Sequence, residues 1–182
     1  MRIISGKYKG RRISPPKNLP VRPTTDMSKE ALFNVLRNHF SFDGLKVLDL
    51  FSGTGNISYE FASRGSDNIT CVDGDFGCVK FIKQTATEFD FNIAAVKSDV
   101  LKFIERCNAK YDIIFADPPY AFEQKIFDKI VIDIFDRNLL EDEGMMIIEH
   151  SKYTKLDHLT HFSFKKSYGG SIFSFFEIGK ST

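Results

Sequence analysis

Asp117-Pro118-Pro119-Tyr120 combines one acid, two residues without a backbone N–H and one aromatic ring. A residue before proline is driven out of the α region, so Asp117 and Pro118 are both held extended. Neither proline can donate to a sheet ladder, so the tetrapeptide must stand off the apolar run Tyr111–Ala116 as a stiff arm. That arm presents the Asp117 carboxylate and the Pro118 carbonyl oxygen, two acceptors suited to the hydrogens of a planar exocyclic amine. Tyr120 adds a face on which the attached base can stack, a contact worth about 1–3 kcal/mol. Such an amine is a poor nucleophile because its lone pair is delocalised into the ring. Accepting both of its hydrogens biases it toward a pyramidal geometry, and a preorganised carboxylate stabilises the positive charge that develops on nitrogen during a displacement.

A second constellation lies upstream in VLDLFSGTGNIS, residues 47–58. Asp49 falls near the end of a short apolar strand, and Gly53 and Gly55 lie in the turn to a helix, where glycine lets the main chain approach a ligand. Gly-x-Gly alone also fits a nicotinamide enzyme. Ser58, however, occupies the place of the third glycine of a dinucleotide fingerprint. Asp49 would also sit beside a pyrophosphate, which is unfavourable; beside the cationic amino group of S-adenosylmethionine it is favourable. Asp73, about 20 residues past the glycines, can accept both hydroxyls of a ribose, and Asp99 can accept the amino hydrogens of an adenine. Asp75 reads as a helix N-cap.

The elements that position these groups alternate. Strand patterns cover 46–51, 68–73, 92–97, 111–116 and 144–149, with helical patterns over 55–64, 75–89, 100–107 and 122–136 between them. Repeated βα units of this length imply a parallel sheet covered on both faces. Residues 161–167 and 171–178 flank Tyr168-Gly169-Gly170 as a terminal β-hairpin. The expected fold is therefore α/β, of the Rossmann-like S-adenosylmethionine-dependent methyltransferase class, with a mostly parallel seven-stranded sheet. In front of it, residues 1–4 and 9–14 alternate as a small hairpin. Pro15, Pro16, Pro20 and Pro23 mark an extended connector, and apolar spacing predicts a helix over 25–40. This divides the chain into an extension, 1–43, and a catalytic domain, 44–182.

At 182 residues, 42% hydrophobic and 27% charged, the chain has globular composition. It has no apolar run long enough to span a bilayer and no apolar leader, so no membrane is expected. Cys71, Cys78 and Cys107 form no C-x-x-C pair, which suggests neither a disulfide framework nor a metal site and fits a reducing cytoplasm. Net charge is only +1, but residues 1–22 carry Arg2, Lys7, Lys9, Arg11, Arg12, Lys17 and Arg22 before the first acid, Asp26. That asymmetry suggests a nucleic-acid contact. His39, His150, His158 and His161 show no ligand spacing. His150, at a strand end beside Glu149, is the one nearest a ligand edge.

The N-terminal MRIISGKYKGRRI, the stretch VRPTTDMSKEALFNVL at 21–36, LDLFSGTGNISYEFASRG at 48–65, Asp-Pro-Pro-Tyr and the closing YGGSIFSFFEI together resemble one family from end to end. That family is the bacterial 16S ribosomal RNA guanine-N2 methyltransferases of the small-subunit type D. Arg22-Pro23-Thr24-Thr25-Asp26 followed by Glu30 is the most family-specific part. The resemblance implies S-adenosylmethionine as methyl donor and guanine 966 of 16S RNA, within the 30S subunit, as target; a monomer is expected, although the sequence itself leaves the oligomeric state open. It further implies that Asp117, Pro118, Pro119 and Tyr120 hold the target base. Asp49, Phe51, Ser52, Gly53, Thr54, Gly55, Asp73, Asp99 and Val100 would line the donor, and Arg2, Lys7, Lys9, Arg11, Arg12 and Arg22 would face RNA. Rival readings are a DNA adenine-N6 or cytosine-N4 methyltransferase, which acts through the same tetrapeptide, and a non-catalytic RNA-binding assembly factor on the same fold. A nicotinamide oxidoreductase is third, with no role for the double proline.

Overall fold

A computed structural model describes residues 1–22 and 24–179. Pro23, within the family-specific stretch, lies outside the described residues, as do 180–182. The elements run α1 Asp26–Leu36, β1 Lys46–Leu50, α2 Asn56–Ser63, β2 Asn68–Asp73, α3 Phe76–Phe89, β3 Ile93–Lys97 and α4 Val100–Arg106. They continue through β4 Tyr111–Ala116, α5 Gln124–Asp136, β5 Leu140–His150, β6 Phe162–Tyr168 and β7 Ser171–Glu177. One seven-stranded sheet has the order β3-β2-β1-β4-β5-β7-β6. β1 to β5 are mutually parallel, while β7 runs antiparallel between β5 and β6. The methyltransferase-like sheet expected from the sequence is thus present. Its strand order reverses between β1 and β4, where the carboxyl ends of open α/β sheets form their ligand crevice.

Strand alternation divides the core into two layers. Val47, Cys71, Ile113, Phe115, Ile147, Phe173 and Phe175 face α1, α2 and the N-terminal segment. Leu48, Leu50, Val72, Ile114, Ile148 and Phe176 face α4 and α5. Asp49, Asp73, Asp117 and Glu149 fall in step with the first set, and His150 with the second.

Boundaries differ from the sequence reading where local chemistry overrides periodicity. α1 starts after Thr25, whose side chain accepts from Ser28 N, and ends at Leu36 because Arg37-Asn38-His39 carry no apolar residue for the buried face. β5 begins at Leu140, earlier than expected, and pairs with Tyr111 across an irregularity. Its acidic Glu141-Asp142-Glu143 start does not read as a strand.

The N-terminal hairpin forms only one bridge, Arg2 to Arg12, completed by Ile3 N to Arg11 O at 2.9 Å and Gly10 N to Ile3 O at 2.8 Å. What fixes it is α2. A Cβ on Gly6 would lie 1.8 Å from Ser63 O, so only glycine allows this approach. Lys7 N donates to Ser63 O at 2.7 Å, and Ile4 N and Ser5 N donate to the Glu60 carboxylate at 2.9 and 3.0 Å. Ile3 and Ile13 enter the same core layer as Leu32, Phe33 and Phe61.

Candidate active site

At the carboxyl ends of β1 to β4 lies a cavity of about 560 Å³, lined on the sheet side by Asp49, the turn 51–54, Asp73, Asp99, Val100 and Asp117–Tyr120. Its volume is within the range of small-molecule sites. The opposite wall was not foreseen. Pro15, Pro20, Val21, Arg22 and Thr24 of the connector, with Met1, close over the crevice. Proline content marked this segment as extended, but nothing local said what it would cover.

The turn after β1 is conformationally demanding. Phe51, Gly53 and Gly55 all have positive φ, at 57°, 54° and 86°. A Cβ on Gly55 would come within 2.7 Å of the Tyr59 ring, so glycine is required there. Phe51 pays backbone strain at a non-glycine position, of a kind that persists where the surroundings over-determine it. It packs edge-on against Phe122 at 5.8 Å.

Asp49 is buried, and its Oδ2 accepts from Ser58 Oγ at 2.6 Å. Ser58, noted in the sequence only as a missing glycine, therefore holds the acid in place. Burial pushes Asp49 up to about 7, only partly offset by that hydrogen bond. Asp73 Oδ2 accepts from Gly53 N and Oδ1 from Asp75 N, both at 2.8 Å, tying the glycine turn to the end of β2. Asp99 Oδ1 caps α4 by accepting from Lys102 N at 3.0 Å. Each of these carboxylates thus does local structural work while facing the cavity. Asp75 caps α3, accepting from Cys78 N at 2.8 Å. Cys78 lines the same cavity, and burial pushes its thiol up to about 12, which leaves it no thiolate to act as a nucleophile at neutral pH.

Beyond β4, Asp117 N reaches Leu50 O at 3.3 Å before the prolines lift the chain away. Pro119 O accepts from Phe122 N at 3.0 Å, whereas the Pro118 carbonyl accepts from no group among the described residues. The Tyr120 hydroxyl is 3.0 Å from Ser171 Oγ at the start of β7. Ser171 Oγ in turn donates to Glu149 Oε1 at 2.7 Å.

Arg22 is the main surprise. The sequence grouped it with the RNA-facing basic residues of the hairpin, and its guanidinium lies over the Tyr120 ring, 3.6 Å from the centroid. Its Nη2 is 3.2 Å from Asp117 Oδ1 and 3.1 Å from Glu149 Oε1. A partly exposed Asp117 and a buried Glu149 thus share one half-exposed cation. Burial first, then the Glu149 charge, pushes Asp117 up to about 8 against the pull of Arg22. Burial likewise raises Glu149. Glu149 was the acid sequence reasoning passed over; its strand-end position after Met145 and Ile147 was the available signal.

Of the remaining basic residues, Lys7, Lys9, Arg11 and Arg12 are exposed, and Arg2 pairs with Asp26 at 3.2 Å. His150 engages both ring nitrogens, with Ser174 Oγ at 2.7 Å and Ser151 O at 2.8 Å, and faces away from the cavity layer. Cys71, Cys78 and Cys107 are free and buried. Among the described residues no group of His, Cys, Asp and Glu has metal-site geometry, and no helix is long and apolar enough to cross a membrane.

Known proteins resemble this chain in sequence and in fold. The chain is 33% identical over 162 residues to the putative rRNA methyltransferase YlbH of Bacillus subtilis, covering 86% of this chain and 85% of that protein. It is 31% identical over 150 residues to the ribosomal RNA small subunit methyltransferase D of Escherichia coli, covering 82% of this chain and 74% of the relative. The solved structure of the putative methyltransferase yhhF from Escherichia coli matches with a TM-score of 0.83 at 25% identity, over 98% of this chain and 99% of that one. The family described as Conserved hypothetical protein 95 matches residues 1–177. The chain belongs to that family, and its likeness to small-subunit methyltransferase D proteins extends over most of its length.

Proposed function

We propose that this protein methylates the N2 amine of a guanine in 16S ribosomal RNA, using S-adenosylmethionine, with the RNA carried in the 30S subunit. The resemblance points to guanine 966. One observation carries the reading: the Asp117–Tyr120 arm and the glycine turn after β1 open on a single cavity.

The charge of that cavity supports the donor. Asp49, Asp73, Asp75, Asp99 and Asp117 line it, against Arg22 as the one basic side chain among the described lining residues. Such a wall repels a pyrophosphate and attracts a cation, which disfavours a nicotinamide dinucleotide. Asp49, raised by burial, gains most from an ammonium group beside it. The lone pairs that Asp73 and Asp99 do not spend on the backbone are available to ribose hydroxyls and to an adenine amine. Phe51, Ser52, Thr54 and Val100 supply the remaining wall, and Gly53 and Gly55 allow close approach of the main chain. S-adenosylmethionine, when bound, supplies an electrophilic methyl group on a sulfonium.

The protein's own part is positioning and charge stabilisation. Tyr120 stacks the base, and Asp117 with the Pro118 carbonyl accepts the two amine hydrogens. The Asp117 carboxylate then stabilises the positive charge that grows on nitrogen. Residues 1–43 act as the RNA-facing extension of the catalytic unit, 44–182. The hairpin runs from the cavity rim at Met1 along α2 to Ser63, about 12 Å at 1.5 Å per residue. Along it, Arg2, Lys7, Lys9, Arg11 and Arg12 would neutralise phosphates leading to the site. The enzyme is expected to act as a single copy.

The test is methyl transfer from labelled donor to 30S particles lacking the mark, followed by nucleoside mass analysis of the 16S RNA. N2-methylguanosine at one position is the expected product. Transfer to DNA in preference to ribosomal particles, or tight binding of a nicotinamide dinucleotide in place of the donor, would replace this reading.

A further inference from the structure

Arg22 shows what the site recognises. A guanidinium is a planar carbon bonded to three nitrogens, and C2 of guanine, bonded to N1–H, the N2 amine and N3, has the same local form. In the free protein the Arg22 guanidinium lies face-on to Tyr120, 3.6 Å from the centroid, and donates from one nitrogen to Asp117 Oδ1 and Glu149 Oε1. It therefore already meets the stacking face and the acceptor that the target base needs. A base that stacks on Tyr120 must displace it. When it does, Glu149 loses a donor and the second oxygen of the same carboxylate has none to begin with. Glu149 is 2% exposed, and its Oε2 is buried without a hydrogen-bond partner among the described residues. An unsatisfied buried carboxylate oxygen is costly, so its retention beside the site calls for a ligand that donates to it.

We propose that Glu149 is the second acceptor for the target base, taking the ring N1–H of guanine while Asp117 takes the amine, and that Arg22 holds this seat until the base arrives. The inference rests on reading the site as an amino-methyltransferase and deepens it by saying which amine is accepted. Guanine alone among the common bases places a ring N–H next to an exocyclic NH2. Adenine and cytosine place a ring acceptor there, and its lone pair would face the Glu149 carboxylate. The site thereby rejects the two amines that the same tetrapeptide could otherwise serve. Ser171 is the positioning residue: its hydroxyl fixes Glu149 Oε1 at 2.7 Å and contacts the Tyr120 hydroxyl at 3.0 Å, holding acceptor and stacking face in one frame.

The experiment compares 30S particles carrying guanine or 2-aminopurine at the position the wild-type protein marks. 2-Aminopurine keeps the N2 amine and replaces N1–H with an acceptor. Wild type should prefer guanine in kcat/KM by roughly ten- to a hundredfold, the equivalent of one buried hydrogen bond to a charged group. Glu149→Gln, whose amide can donate to that acceptor, should narrow or invert the preference; binding of S-adenosylhomocysteine and an unchanged melting profile establish that the variant is folded. Equal use of both bases by wild type overturns the proposal without any variant. A folded Glu149→Gln with the wild-type preference overturns it as well, while leaving the methyltransferase reading intact. Failure of wild type to methylate guanine in any particle overturns that reading and this inference together.

Discussion

Two charge clusters in this protein, one buried and one at the edge of the cavity, are finished differently. In the first, Glu60 of α2 is fully buried, and its carboxylate accepts from Ile4 N, Ser5 N and Arg64 and pairs with Lys29 at 3.2 Å. Lys29, itself 1% exposed, also donates to Arg2 O at 2.6 Å and Asn56 Oδ1 at 2.9 Å. Donors and acceptors there are matched, and the cluster locks the N-terminal segment to the sheet domain. In the second, Asp117 and Glu149 share one half-exposed guanidinium, and Glu149 Oε2 has no partner among the described residues. Deeper burial and fuller satisfaction in the first cluster separate the two roles. A matched cluster stabilises the fold, whereas a mismatched one carries a free-energy cost that a ligand can relieve.

The sharpest way to break the comparison is to open the matched cluster. Glu60→Ala leaves Lys29 buried without its counter-charge, and unfolding stability should fall by about 3–5 kcal/mol in denaturant titrations. A loss under about 1 kcal/mol would mean that water or rearrangement satisfies Lys29 instead. Next in size is Asp117→Ala, for which we expect kcat to fall at least 10²- to 10³-fold, roughly 3–4 kcal/mol of transition-state stabilisation. Donor binding and melting temperature should stay near wild type. A large drop in stability would make the second cluster structural as well.

A smaller effect concerns pH. Burial holds Asp117 up to about 8 and Asp49 up to about 7. Between about pH 4 and 8 the folded chain therefore keeps protons that unfolded carboxyls have lost. Stability should decline as pH rises through that window and level off above it. Asp117→Asn should flatten the upper part of the curve; a profile that rises from pH 5 to 8 would contradict the assignment. Smallest, neutralising Lys9, Arg11 and Arg12 together should reduce the salt dependence of RNA binding by up to about 0.7 log units per lost phosphate contact. An unchanged slope would separate the hairpin from the RNA path.

Most of the framework was legible beforehand because it is written in short-range patterns. Alternating runs such as Tyr111–Ala116 mark strands. Gly55 is dictated by a positive φ and the nearby Tyr59 ring, and Asp75 caps its helix as expected. The two prolines end β4 wherever they occur. Less legible were residues whose surroundings arrive from distant sequence. Arg22 looks no different from Arg11 or Arg12 in a stretch without acids, yet it alone turns onto Tyr120, across 95 residues to Asp117. Ser58 and Glu60 sit on the buried face of α2, where polar residues count against burial unless their partners are known.

By itself the chain determined its strand and helix periods, the donor-free kink at 117–120 and the glycine turn, since each follows from the conformational limits of a few adjacent residues. Tertiary structure alone decided which acids are matched and which are left wanting. That depends on the dielectric and on partners drawn together from residues 2, 22, 149 and 171, and burial and long-range pairing are properties of the assembled fold.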